Sequence, residues 1–114
     1  MEATIQKLKK SVSDNFILAE KYYAILSIIN SLGMSEREIQ LVSYTAVHGN
    51  ISYKHLKEEF CVKHKTTIPT INNIISKLKK IGVFIKKDGK IKVNPVIALD
   101  FNKDVLLAIS IVHE

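Results

Sequence analysis

Several residue types that commonly staple or anchor a chain are scarce in these 114 residues. There is one cysteine, Cys61, so no disulfide can form within the chain, and a reducing compartment suits it best. Arginine occurs once, at Arg37, against sixteen lysines, and tryptophan not at all. No apolar run approaches the ~20 residues of a membrane span. The first ten residues, MEATIQKLKK, lack the charged-then-apolar layout of a secretory signal. A soluble, cytoplasmic protein is therefore expected, with no membrane partner. Glycine-rich phosphate loops, nucleophile elbows and carboxylate pairs at helical spacing are also missing, which argues against an enzyme. Cys61 and His64 form a Cys-x-x-His pair, but no second pair completes a tetrahedral zinc site, and His48, His55 and His113 are scattered. Glu58 and Glu59 read as a solvated helix face. The expectation is no cofactor, no metal and no catalytic residue.

What is present is a core and a segregated charge. Hydrophobic residues make up 46% of the chain and recur at helical or strand spacing, which excludes a disordered polymer. The length is that of one domain, 1–114. The net charge of +6 is unevenly spread: residues 61–92 hold nine lysines against Asp88 alone, or +8, while all the rest sum to −2. Such a concentration is the footprint expected of a nucleic-acid-binding surface; the alternative is a solvated lysine face. The lysine-for-arginine bias, with abundant isoleucine and asparagine, is what an A/T-rich genome imposes, as in phages, plasmids and some bacteria. It describes origin and not activity.

Helical periodicity marks out the first half. Ile5, Leu8 and Val12 suit a short helix over 2–12. Ser13 or Asp14 can cap a second, over Phe16–Leu32, with the stripe Leu18, Tyr22, Ile25, Leu26, Ile29 and Leu32 inward and Gly33 as its stop. Ser35 and Glu38 form a capping box for a helix carrying Ile39, Leu41, Val42 and Ala46 and ending at Gly49. Ile51 suits a very short strand. Ser52 then caps a helix over about Tyr53–Phe60, and a polar bend follows at 62–66. Thr67 and Pro69 announce the next helix, whose inner stripe is Ile71, Ile74, Ile75, Leu78 and Ile81 and whose end is Gly82. Two helices joined by a short turn, the second amphipathic and basic, make a helix-turn-helix.

Asp88-Gly89 between two β-prone runs signals a hairpin with a two-residue loop. That loop sets Lys87 opposite Lys90 and Ile85 opposite Lys92, on a face that cannot pack on the helices. Phe84, Lys86, Ile91 and Val93 form the other face, which can. Lys87 facing Lys90 should repel, which favours an anion between them over simple protection of a sheet edge. Pro95 ends the hairpin. The apolar, β-branched tail 105–112 favours a strand, with a buried helix as the alternative.

The order helix, short strand, helix, helix, hairpin resembles the winged helix-turn-helix arrangement over about residues 36–95. The stretch TIPTINNIISKLKKIGVFIKK, Thr67 to Lys87, looks like the recognition helix and first wing strand of MarR-like regulators, with Leu78–Ile85 similar to their Leu-x-x-x-Gly-hydrophobic signature. The exit Ile91–Pro95 resembles plasmid and phage replication initiators of the RepL type. One departure stands out: MarR-like wings carry arginine at the tip, and this hairpin has none. The resemblance implies an α+β, mainly helical fold: a winged helix-turn-helix with a two-stranded wing, an N-terminal helical extension over 1–34, a core over 36–95, and a C-terminal extension over 96–114 containing a strand.

What the fold implies is double-stranded DNA binding, with the 67–81 helix in the major groove and the hairpin near the backbone. Lysine is a mobile point charge, so Lys63, Lys65, Lys77, Lys80, Lys87, Lys90 and Lys92 suit phosphates, and Lys86 lies beside them. Base reading falls to Thr70, Asn72, Asn73 and Ser76, with Thr67 at the helix start. Asn73 is the best placed, since an amide can pair at two points with adenine. A solvated helix surface is the bland reading of Asn72 and Asn73. The expected role is transcriptional regulator or replication initiator of phage or plasmid type. The rival is a structural or assembly component of a phage virion, with other phage proteins as partners. Apolar surface outside 36–95 is expected to build a homo-oligomer.

Overall fold

The computed structural model describes residues 14–108, 110, 112 and 113. The helix expected over 2–12 lies outside them, as does Ser13. Four helices, α1 (Asn15–Ile29), α2 (Glu36–His48), α3 (Lys54–His64) and α4 (Ile68–Lys80), precede an antiparallel hairpin of β1 (Phe84–Lys87) and β2 (Lys90–Val93). The fold is thus α+β and mainly helical. No described helix is long and apolar enough to cross a membrane.

Helix boundaries follow from local chemistry. Asp14 starts α1, its carboxylate accepting from the Phe16 and Ile17 amides. The helix stops at Ile29, three residues short of the expected end, because Asn30 caps it and Ser31 takes a left-handed φ of 54°. Buried Ser27 then organises the loop, its hydroxyl accepting from the Met34 amide and its carbonyl from that of Leu32. The capping box of α2 is complete: Glu38 N–H donates to the Ser35 hydroxyl, and Ser35 N–H to Glu38 Oε1. Left-handed Gly49 closes that helix. The third helix departs from expectation at both ends. Tyr53 and not Ser52 is its N-cap, without a side-chain bond, and the helix continues through the supposed bend to His64. Left-handed Lys65 ends it, so the turn into α4 is only Lys65–Thr67.

Ser52 is used elsewhere. Its hydroxyl accepts from the Ile91 amide at 2.6 Å, and Ile51 N–H donates to the Ile91 carbonyl at 3.0 Å. Ile51 therefore flanks β2 through one backbone bond and one side-chain substitute, which is less than a strand. The hairpin itself has the expected register, Phe84↔Val93, Ile85↔Lys92, Lys86↔Ile91 and Lys87↔Lys90. Asp88 and Gly89 both have positive φ, as a two-residue hairpin loop of the I′ kind requires. Asn94 clamps its base, donating from its amide nitrogens to the carbonyls of Val83 and Gly82.

One core joins all of these elements. Leu41, Val42 and Tyr44 of α2, Leu56 and Phe60 of α3, Ile71, Ile75 and Leu78 of α4, and Phe84 and Val93 of the hairpin are buried together. Ala19 and Tyr23 of α1 belong to the same cluster. Tyr23 also donates to the Ile97 carbonyl at 2.8 Å and packs edge-on against Phe101, which draws the segment after the hairpin onto α1. Beyond it the expected strand is absent: the described residues of 105–112 form neither strand nor helix, and Leu106 is 93% exposed. An apolar run makes a strand only where an edge accepts it, and no described residue of this tail pairs with the hairpin. The stripe proposed for α1 is also split. Leu18, Tyr22, Leu26 and Leu32 pack on the core, whereas Ile25 and Ile29 face outward with Ile17 and Ile28. This helix is apolar on both sides, so periodicity alone could not orient it.

Candidate nucleic-acid interface

The amphipathic helix α4 carries Ile71, Ile75 and Leu78 on its buried side and no acidic residue anywhere. Thr67 caps it, and Pro69 sits in its first turn, where no intrahelical partner is lost. At 3.6 residues per turn, the line opposite the buried ridge is Pro69, Asn73, Ser76 and Lys80, and all four are exposed. Lys79 is exposed beside them. The hairpin follows directly, with Lys86 and Lys87 exposed and Lys90 and Lys92 half-buried.

The structure divides the expected contact residues into those already engaged and those left open. Lys77 is engaged: its Nζ lies 2.8 Å from Oε2 of Glu38, a residue only 5% exposed. Glu38 thereby serves two helices, capping α2 with one oxygen and holding α4 with the other. Burial works to raise its pKa. Hydrogen bonds from Lys77 and from the backbone and hydroxyl of Ser35, with the Lys77 charge, outweigh that and hold the carboxyl below its ordinary value. Lys63 belongs to the other side of α3, its ammonium 3.7 Å from the ring centroid of Phe16 on α1. The hydroxyls of Thr67 and Thr70 bond to each other at 2.9 Å. Asn72 accepts from Lys57 Nζ of α3 at 3.1 Å, which ties its side chain toward α3. Lys65 is exposed in the turn between α3 and α4. Asn73, Ser76, Lys80, Lys86 and Lys87 make no side-chain hydrogen bond among the described residues.

Lys87 and Lys90 do stand opposite each other, but the conflict is relieved inside the protein. Lys90 turns to place its ammonium 5.3 Å from the ring centroid of Tyr53. No anion is required to explain the pair. The other end of the same face also differs from expectation. Ile85, Lys87 and Lys92 line one wall of a shallow groove of about 260 Å³, with Thr45, Ala46 and Gly49 of the α2 terminus across it. That face is therefore half covered by a helix end.

Arg37, the single arginine, is a structural residue. Its Nη1 donates to the carbonyl of His64, satisfying the end of α3 at the turn into α4. The guanidinium helps to depress His64 as well, where burial first, then the charges of Lys63 and Arg37, disfavour the imidazolium. Pro69, Lys57 and Lys79 were not among the expected contact residues. The first was readable from the sequence, since it stands four residues before Asn73 on the line opposite Ile71, Ile75 and Leu78. The role of Lys57 had no signal, because it depends on how α3 crosses α4. Among the described residues, no group of three or more His, Cys, Asp or Glu could hold a metal ion.

Comparison with protein-family models, with curated proteins and with solved structures finds no match to this chain.

Proposed function

We propose that this chain binds double-stranded DNA as a winged helix-turn-helix protein and acts as a transcriptional regulator or replication initiator of phage or plasmid type. In this reading α4 enters the major groove and the β1–β2 hairpin is the wing that lies against the backbone. The cytoplasm is the compartment it implies. One observation carries it: an acid-free helix with an open polar ridge is followed without interruption by a hairpin bearing Lys86, Lys87, Lys90 and Lys92 against Asp88 alone. Phosphates fix register, and lysines on a rigid hairpin suit them.

Alanine at Lys87, Lys90 and Lys92 together tests the assignment. Duplex binding is expected to weaken on every sequence, and the slope of log affinity against log salt to flatten by roughly one per lysine that truly contacts a phosphate. Lys77→Ala is the contrast, expected to lower stability and leave that slope unchanged. Unaltered affinity in the triple variant would reduce the hairpin to a solvated turn.

A second reading, an assembly component of a phage particle, is favoured by the outer face of α1. Ile17, Ile25, Ile28 and Ile29 are 46%, 36%, 79% and 51% exposed on a helix face that also carries Lys21, and exposed isoleucines gathered on one helix are a feature of protein interfaces. A homo-oligomer through α1 is part of both readings, and light scattering on the purified chain separates them. A two-fold dimer is the outcome expected of a regulator or initiator, and a ring that of an assembly component. A monomer at high concentration would remove the oligomer from both.

A further inference from the structure

We propose that Asn73 is the base-reading residue of α4 and that it selects adenine in the major groove, an inference that rests on the duplex-binding reading above. Existing hydrogen bonds separate the polar side chains of α4. Both flanks of the exposed ridge are tied to neighbouring helices, Lys77 to Glu38 of α2 and Asn72 to Lys57 of α3. The Lys57 bond draws the Asn72 amide toward α3, to the flank of the ridge, and occupies one of the two lone pairs of its carbonyl. Asn72 would have to share or give up that bond to make the paired acceptor-and-donor contact that adenine's N6 amino group and N7 require. The hydroxyl of Thr70 is paired with that of Thr67.

Asn73 is different. It lies in the second turn of α4, exposed, and with no partner among the described residues for either its carbonyl or its amide nitrogen. The full donor-and-acceptor pair of a primary amide is thus open at one place on the helix. Guanine offers two acceptors, O6 and N7, and the arginine whose rigid fork suits them best is committed to the His64 carbonyl. Lys80, two turns further on, brings a single point charge suited to a phosphate. Pro69, one turn before Asn73, exposes an apolar ring of the kind that packs on a thymine methyl. The ligand class is accordingly a duplex with an A·T pair at a fixed position.

The test is selection from a randomised duplex library with the full chain as wild type, Asn73→Ala and Asn72→Ala. Asn73 is exposed, so its replacement leaves the core untouched, and a thermal melt checks this. Wild type and Asn72→Ala are expected to enrich the same A·T position, and Asn73→Ala to lose it. Exchanging that pair for G·C should cost the wild type roughly 5- to 150-fold in affinity and the Asn73→Ala protein almost nothing. Replacing the adenine by 7-deazaadenine, which lacks the N7 acceptor, should weaken the wild type severalfold and leave Asn73→Ala unchanged. Duplex binding with no fixed A·T position, or with one that survives Asn73→Ala, overturns the inference while sparing the duplex-binding reading. No duplex binding at low salt overturns both.

Discussion

Affinity for duplex DNA is expected to fall by roughly 300- to 1,000-fold between 50 and 200 mM salt, a slope of about −4 to −5 in log affinity against log salt. The lysines that the fold leaves available set this slope. Of the nine in residues 61–92, Lys77 is held by Glu38 and Lys63 lies over Phe16, so neither is free to neutralise a phosphate. Lys90 sits more loosely, 5.3 Å from the Tyr53 ring centroid, and remains with Lys65, Lys79, Lys80, Lys86, Lys87 and Lys92; a rigid body of this size brings only part of such a set onto one duplex. About five contacts, each releasing close to one counterion, give the stated slope. Anisotropy titrations of one labelled duplex across a salt series measure it directly. A flat response, or no binding at the lowest salt, would sink the proposed function. A slope near −8 would instead mean that the engaged lysines let go of their partners on binding.

Replacing Glu38 by alanine is expected to cost about 2–3 kcal/mol of folding stability, which for a domain of this length lowers the melting temperature by on the order of 10 °C. One change removes the return half of the α2 capping box and the carboxylate that holds α4 through Lys77. The loss stays at the lower end for a buried pair because the Lys77 side chain is 54% exposed, and water can solvate the ammonium left behind. Lys77→Ala should cost less, since the Ser35 N–H still donates to the carboxylate. In the double variant the losses should fall short of additive by on the order of 1 kcal/mol, the signature of a shared contact.

The pH dependence has a definite sign. The folded state holds the Glu38 proton more weakly than the unfolded chain, so this stabilisation is complete above the ordinary value of 4.5 and is lost as pH falls through the lower folded value. Wild type and Glu38→Ala should therefore converge in acid. Chemical denaturation at neutral pH and near pH 3 checks both points, and an equal gap at the two would place the effect elsewhere.

Where the chain carried its signal locally, the sequence determined the structure by itself. Ser35-x-x-Glu38 specified a capping box because the reciprocal bonds span only three residues. Thr67 and Pro69 specified the start of α4, and Asp88-Gly89 specified the hairpin and its whole register, because a two-residue loop with two positive φ values leaves no freedom in pairing. The one-sided pattern of α4 likewise announced Ile71, Ile75 and Leu78 as its buried face, but Ile81, expected inward, is the C-cap and is 42% exposed. Tertiary structure decided the rest. The sidedness of α1 was undetermined because large apolar residues stand on both of its faces, and only packing against α2 and Phe101 chose Tyr23 over Ile25. Ser52 has the right chemistry for an N-cap, yet the Ile91 amide, thirty-nine residues away, claims its hydroxyl. The tail 105–112 has strand propensity, yet none of its described residues pairs with the hairpin. Most consequentially for function, charge counting treats all nine lysines alike. Only the packing of α4 against α2 and α3 ties Lys77 to Glu38 and draws the Asn72 amide toward Lys57, because a hydrogen bond between helices depends on distances that no linear spacing encodes.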